Sequence, residues 1–327
     1  MHFYAPLGVA ALLVAAQAAL AAPSALSHES VVKRSPSSVG PKRDYPDPYG
    51  PASNAEAAVP VNPQSATTAC PVYANQTIEI PVFVYMPYYQ KKTWYNNYFT
   101  TAELMKGINS LNRAYGKYSP RIKFKLQTPK YKLITSPQEW EAMQYSTSGY
   151  INKKLTIPAR GPLSKRGANQ MRELWLYMVP GILDYNVGFS FIPVDKNPFE
   201  HDGVFFDSES WDGFQATLVQ QVGHWLRLEK VFRGGCKGTD FVGDTPPWKL
   251  DWDEPGTLRC KGSDGYSYEG IYNICGGSKG DAIKNIRNFM SNSDDHCRTE
   301  LTWGQRKRYW DTAVNWRKFK PVCGPVK

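Results

Sequence analysis

Six cysteines, Cys70, Cys236, Cys260, Cys275, Cys297 and Cys323, constrain this 327-residue chain more than any other feature, because all follow residue 69 and their number is even. An even set with no CxxC pair reads as three disulfides formed in an oxidising compartment, not as a structural zinc site. Four of the six fall between 236 and 297, in sequence rich in Gly, Pro and Asp. That half is held by cross-links more than by an apolar core.

The N-terminus agrees with that compartment. Residues 1–21 carry His2, an apolar run from Leu7 to Ala21 and an Ala19-Leu20-Ala21 end, the layout of a secretory signal peptide. The run is too short to span a membrane. Lys33-Arg34 and Lys42-Arg43 are dibasic pairs in a polar, accessible segment, so residues 22–43 read as a propeptide processed after Arg34 and Arg43. Residues 44–69, rich in Pro, Ala, Asn and Ser, read as a disordered arm or linker. Residues 70–327 are long enough for one sizeable core, and they contain no internal repeat. Losing residues 1–43 removes four Lys/Arg and one Glu and lowers the formal charge from +10 to +7. Such charge bears on solubility and on attraction to acidic surfaces, and no nucleic-acid motif accompanies it. Asn75-Gln76-Thr77 is a glycosylation triplet just before the first predicted strand, which makes Asn75 the candidate acceptor.

Periodicity orders the domain. Thr77–Met86 alternates Ile78, Ile80, Val82 and Val84 on one face, a half-buried strand. Thr100 and Glu103 have capping-box spacing and open a helix with Leu104, Ile108, Leu111 and Ala114 on one side. Arg121–Leu126 alternates again, Glu173–Val179 is almost continuously apolar and so central, and Val187–Ile192 and Gly203–Phe206 complete the strands. A helix follows over Phe214–Leu228 with Leu218, Val222 and Trp225 facing the sheet. The last helix, Thr302 to Phe319, turns Tyr309, Trp310, Ala313 and Val314 inward and leaves Arg306, Lys307, Arg317, Lys318 and Lys320 on a solvated face.

Within the Phe214–Leu228 helix and the residues after it, Gln220 to Lys230 has the spacing of HExxHxxGxxH. In that arrangement two His four residues apart bind zinc on one helical face, a Glu activates water, and a third His follows a Gly turn. Only His224 remains of those five. Gln220 holds the first ligand position, Gln221 the base position, Arg227 the Gly position and Lys230 the third ligand position. Gln221 has the shape of Glu but takes no proton at neutral pH. A protonated Lys230 offers three donors and no lone pair, and it repels a dication. Arg227 makes a left-handed turn costlier than Gly would, which leaves two places open for Lys230: beside the metal position or out in solvent.

Sequence beyond the helix resembles the pappalysin-like (ulilysin-like) metzincin metalloproteases, in particular small secreted fungal-type members. Gly223-His224-Trp225-Leu226, Phe232-Arg233-Gly234-Gly235-Cys236 and Gly243-Asp244-Thr245-Pro246 match the family's run around and after its zinc helix. Asn288-Phe289-Met290, Ser293-Asp294-Asp295, Cys297 and Gly304-Gln305 match its Met-turn and last helix. Asp202-Gly203-Val204, Leu174-Trp175-Leu176-Tyr177 and Ile108-Asn109-Ser110-Leu111-Asn112 fit upstream. The resemblance implies an α+β fold: an upper lobe of twisted mixed sheet with two long helices, over a lower irregular disulfide-bonded lobe with a C-terminal helix. It also implies Cys236–Cys275 and Cys260–Cys297, leaving Cys70–Cys323. Met290 is the expected floor of the site, and the family's Tyr two residues later is Asn292.

The scaffold residues remain and the reacting ones are exchanged, so the first expectation is a secreted, monomeric metalloprotease-like protein without zinc or hydrolysis that binds an extracellular protein or peptide. No cofactor is expected. Two alternatives stand beside it. One is an active zinc endopeptidase that recruits Glu229, His201 or His296 to join His224. The other is a carbohydrate- or surface-binding protein using Tyr88, Tyr89, Trp94 and Tyr95 as a platform. No GxSxG elbow or phosphate-cradling loop suggests another reaction.

Overall fold

The computed structural model describes residues 73, 75–89, 99–144, 156–161, 168–179, 188–190, 192–193, 202–208, 211, 215–237, 239–249 and 275–323. The chain divides into residues 1–44 and 45–327, and every described residue lies in the second unit. The leader, the processing positions Arg34 and Arg43, the arm, and Cys70, Trp94, Tyr95, His201 and Cys260 lie outside the described residues.

Strand β1 (Gln76–Tyr89) organises the sheet. Its predicted apolar face, Ile78, Ile80, Val82 and Val84, is at most 1% exposed, and burial of each such side chain favours the fold by about 1.5–3 kcal/mol. Its length lets two parallel strands share it in series: β2 (Arg121–Leu126) pairs with Thr77 to Val82, and β3 (Lys130–Ile134) pairs with Tyr85 to Tyr89. Beside it runs β4 (Leu174–Val179), parallel, with Val82 opposite Leu174. Next come β5 (Gly188–Ser190) and β6 (Val204–Asp207), in spatial order β2-β1-β4-β6-β5. β5 runs antiparallel to β6, as does β7 (Val322–Cys323) to the start of β1, so the sheet is mixed. β4 is central, as its continuous apolar sequence requires.

Helix α1 (Thr101–Gly116) starts at the expected capping box, with Thr100 and Glu103 bonded reciprocally. Leu104, Ile108 and Leu111 are fully buried against the sheet, together with Tyr115; Ala114 is only half-buried. Asn112 fastens α1 to β2 by giving its Nδ2 to the Phe124 carbonyl at 3.1 Å and taking the Phe124 N–H at 2.7 Å. The short helices α2 (Pro137–Gln144) and α3 (Ile157–Arg160) follow. A second cluster contains a near-parallel row of rings, Phe83–Trp175–Tyr177–Phe205–Phe189, which crosses β1, β4, β6 and β5 with successive centroids 4.8–6.2 Å apart.

The remaining helices are α4 (Gln215–Trp225), α5 (Lys279–Arg287) and α6 (Trp303–Asp311). α6 passes into one wide turn over Thr312–Trp316, in which the Arg317 N–H bonds the Thr312 carbonyl. The helix is therefore shorter than Thr302 to Phe319. Arg317 is also not on a solvated face: it is 0% exposed, because its guanidinium finds an internal carboxylate and a carbonyl, described below. Cys236 and Cys275 form a disulfide. Cys297 and Cys323 are also disulfide-bonded, while Cys260 and Cys70, expected as their partners, lie outside the described residues. No described helix is long and apolar enough to cross a membrane.

Candidate active site

α4 carries the altered zinc frame, and both of its ends are closed by side chains from later in the chain. At its start the Asp295 carboxylate takes the N–H groups of Ala216 and Thr217 at 2.8 and 2.7 Å, placing a negative charge where the helix dipole is positive. Arg298 in turn pairs with Asp295 at 2.7 Å. At its end the Leu228 N–H bonds the Gly223 carbonyl, the Arg227 N–H bonds the His224 carbonyl, and Arg227 has φ of 63°. This is a Schellman ending with arginine where glycine is usual. The turn that presents a third ligand is thus kept in spite of the substitution.

The Trp225 carbonyl, left over at the helix end, takes two bonds from Arg317, from Nε at 3.2 Å and Nη2 at 2.9 Å. Arg317 Nη2 also meets Asp202 Oδ1 at 2.8 Å, and Arg160 meets Asp202 Oδ2 at 3.4 Å, all three side chains being buried. Burial pulls the Arg317 guanidinium below its ordinary range, and the Asp202 charge opposes that shift. Asp202, Asp295 and Arg317 have no role in the sequence reading. The only signal for the two acids is their place in family-like motifs.

On the helix, Gln220, His224 and Gln221 fall within an arc of about 100°, with His224 between the other two. His224 is fully buried, and its Nδ1 lies 2.8 Å from the Leu228 carbonyl. A carbonyl only accepts, so Nδ1 carries the proton and Nε2 the lone pair, which is the tautomer a metal-binding imidazole needs. Burial first, and the Lys230 charge second, hold its pKa down to about 3, so the ring is neutral.

The neighbouring positions do not supply the rest of a metal set. Gln220 is 4% exposed, and its Nε2 donates to the Ser291 carbonyl on the Met-turn. Gln221 is equally buried, and its Oε1 has no hydrogen-bond partner. Lys230 is half-buried on a short segment fixed on both sides: Leu228 is held by His224, and the Val231 N–H bonds the Met290 carbonyl at 3.2 Å. The Lys230 Nζ lies 5.6 Å from the centroid of the Phe232 ring. Met290 is fully buried beneath the helix, and a Cβ on Gly223 would lie 2.5 Å from its Sδ. Its N–H is taken by Asn288 Oδ1, which belongs to a reciprocal amide pair with Gln305. Asn292 is half-buried and brings no phenol to the site.

One imidazole, two carboxamides and an ammonium do not fit zinc. Among the described residues the substitute ligands do not converge either, and His201 lies outside them. Glu229 is buried and ion-paired with Arg233. His296 is exposed and grouped with Asp294 and Cys297, whose sulfur is in a disulfide; that is the one group of three candidate ligands among the described residues, and it excludes His224. Of the aromatic platform, Tyr88 and Tyr89 are half-buried, and Tyr89 stacks on Trp140 at 5.7 Å. Asn75 is exposed with φ of 50°, directly before β1.

Similarity to known proteins follows the same geometry. The family profile for peptidase M43, described as pregnancy-associated plasma protein-A, matches residues 194–313. An extracellular metalloprotease of Colletotrichum graminicola is 28% identical over 229 residues, covering 65% of this chain and 70% of that protein. Extracellular metalloprotease 1 of Coccidioides posadasii is 30% identical over 176 residues, covering 50% of this chain and 55% of that protein. Mature mirolysin of Tannerella forsythia, solved with a cleaved peptide, superposes with a TM-score of 0.52 at 21% identity, over 74% of this chain and 94% of that one. A promirolysin variant from the same organism gives 0.54 at 21% identity, over 76% and 85%. With the Met-turn, the Schellman ending of α4 and His224 in place, residues 194–313 match a pappalysin-type peptidase M43 domain, in a chain similar to fungal extracellular metalloproteases and to mirolysin in fold.

Proposed function

We propose that this protein is a secreted pseudoprotease: it keeps the cleft of a metzincin, hydrolyses no peptide bond, and holds an extracellular protein or peptide. The carrying observation is the Gln220 carboxamide. Its N–H is given to the Ser291 carbonyl, so the first ligand position braces the Met-turn, and a neutral carboxamide is a much poorer zinc ligand than the imidazole, thiolate or carboxylate that zinc sites use. Gln221 at the base position accepts no proton at neutral pH, and without a Lewis acid and a base the attacking water is not activated. Secretion is supported by the apolar leader, the even cysteine count and the extracellular relatives.

Binding has a physical basis in the sheet. Among the described residues β5 ends the strand order and pairs antiparallel with β6, and an extended peptide adds to such an edge through main-chain hydrogen bonds. Mirolysin, with the same fold, is known with a cleaved peptide. The test is elemental analysis of the secreted, processed protein together with casein digestion. Less than a tenth of an equivalent of zinc and no cleavage are expected. Stoichiometric zinc with cleavage would overturn the reading in favour of recruited ligands.

A further inference from the structure

We infer that the outer face of α6, together with the end of α1, binds an acidic polysaccharide through cations held on exposed aromatic rings. Spacings of three and four residues put Trp303, Arg306 and Lys307 on one face of α6, whereas Gln305 and Tyr309 are buried. Lys117 and Tyr118, directly after α1, join that face. Tyr118 is 46% exposed and Trp303 42%, and cation and ring alternate from one end to the other. Lys117 Nζ lies 4.9 Å from the centre of the Tyr118 ring, and Arg306 Cζ lies 4.7 Å from the same ring and 5.3 Å from that of Trp303. Lys307 Nζ lies 5.9 Å from the Trp303 ring. Tyr73 fixes the supports: it meets the Trp303 ring edge-on at 6.0 Å and gives its hydroxyl to Asp311 at 2.9 Å, and its carbonyl takes the hydroxyl of Ser119, beside Tyr118, at 3.0 Å.

Lys117, Arg306 and Lys307 form no ion pair among the described residues. Two carboxylates at the ends of α6 are engaged elsewhere: Asp311 takes the Tyr73 hydroxyl, and Asp244 takes the Thr302 hydroxyl and the Gly304 N–H. Neighbouring cations share a ring, so they stand apart on the scale of the screening length, about 8 Å at physiological ionic strength, and act on one ligand together. The rings decide which ligand. Each already has two of the chain's own cations over it, so a neutral sugar or a nucleobase, which binds by stacking on a free ring face, is not matched. What remains is anion recognition by ammonium and guanidinium donors held at set spacing. A polysaccharide with a carboxylate or sulfate on each repeat presents its charges at set spacing too. An acidic peptide has them on flexible side chains and loses rotamer freedom in aligning them. The inference rests on secretion, and it does not depend on whether the cleft is active.

The experiment titrates the processed protein with polygalacturonate, dextran sulfate, neutral dextran, polyglutamate and single-stranded DNA at physiological salt, after circular dichroism has shown each variant to be folded. At least one of the two acidic polysaccharides is expected to bind about tenfold more tightly than the other three probes, and the better of the two names the anion. Lys117→Gln with Lys307→Gln should weaken that binding about tenfold, and Arg306→Gln should do so alone, while Arg306→Lys keeps most of it. Removing two exposed charges that touch neither ring, Lys123→Gln with Lys237→Gln, should leave affinity within about twofold, which separates this face from the general positive charge of the chain. Trp303→Leu removes no charge and should still weaken binding about threefold, because the cations lose their seat. Four results would overturn the inference: no binding of either acidic polysaccharide, equal binding of polyglutamate or DNA, equal damage from the Lys123 and Lys237 pair, or full affinity in Trp303→Leu. Zinc content and casein cleavage report on the pseudoprotease reading separately, so the two failures are told apart.

Discussion

Arg317 donates twice to the carbonyl of Trp225, ninety-two residues earlier in the chain, and so closes the C-terminal end of the helix that carries the site. The same guanidinium lies 3.4 Å from the centroid of the Trp225 ring and pairs with Asp202. Replacing it leaves the helix-end carbonyl without these two donors and takes one of two guanidinium partners from the buried Asp202. Arg317→Met is expected to cost about 3 kcal/mol in urea unfolding, near the lower end for breaking a buried pair because Arg160 still reaches Asp202.

Arg227 supplies a test of opposite sign. It holds φ of 63° at a position where L side chains are strained, and it keeps a ring contact with Trp316 at 5.7 Å. The left-handed conformation costs roughly 1–2 kcal/mol and the cation–π contact returns part of it. Arg227→Gly should therefore raise stability by about 1 kcal/mol, measured by the shift of the urea midpoint at unchanged slope.

Two buried groups make stability depend on pH in opposite directions. His224 titrates at about 3 in the fold against 6.5 when unfolded, so its contribution is complete above 6.5 and is lost as pH falls toward 3. Asp240, desolvated by burial, titrates at about 6 against 3.8, so its contribution is complete below 3.8 and is lost as pH rises through 6. In pH-resolved urea unfolding, His224→Gln should flatten the loss of stability between 6.5 and 3. Asp240→Asn should remove the loss between 3.8 and 6 and gain stability at pH 7 relative to the parent.

Since the turn, the Met-turn floor and the imidazole tautomer are kept, the donor set is what the site lacks. Gln220→His with Lys230→His is expected to bind one equivalent of zinc by elemental analysis and to raise the melting temperature when zinc is added, as ligand linkage requires. Adding Gln221→Glu should then bring casein cleavage. Failure of the double variant to take up zinc would show that neighbouring side chains, and not the three ligand positions alone, exclude the metal.

Much of this arrangement is legible in the sequence where the controlling interactions are local. The alternation of β1, the Thr100–Glu103 cap and the place of His224 depend on spacing within one element, and the structure has them where spacing puts them. Arg317 is misjudged because a basic residue on a helix face is ordinarily solvated, and its burial depends on Asp202 and Trp225 arriving from two other segments. Asp295 is visible as part of a motif, but its work as the cap of α4 depends on a contact across about eighty residues. The row of rings from Phe83 to Phe189 is likewise a product of strand order, which no periodicity reveals.

The clamps on α4 also have a consequence for how the protein is made. Asp295 at its first turn, Ser291 at Gln220 and Arg317 at its last carbonyl all lie well after the helix in sequence. A ribosome that has just synthesised Trp225 has produced the helix but none of the groups that finish it. Helix α4 therefore waits until Arg317 has emerged before it can settle, and a chain that stops short of Arg317 leaves the centre of the molecule unfinished.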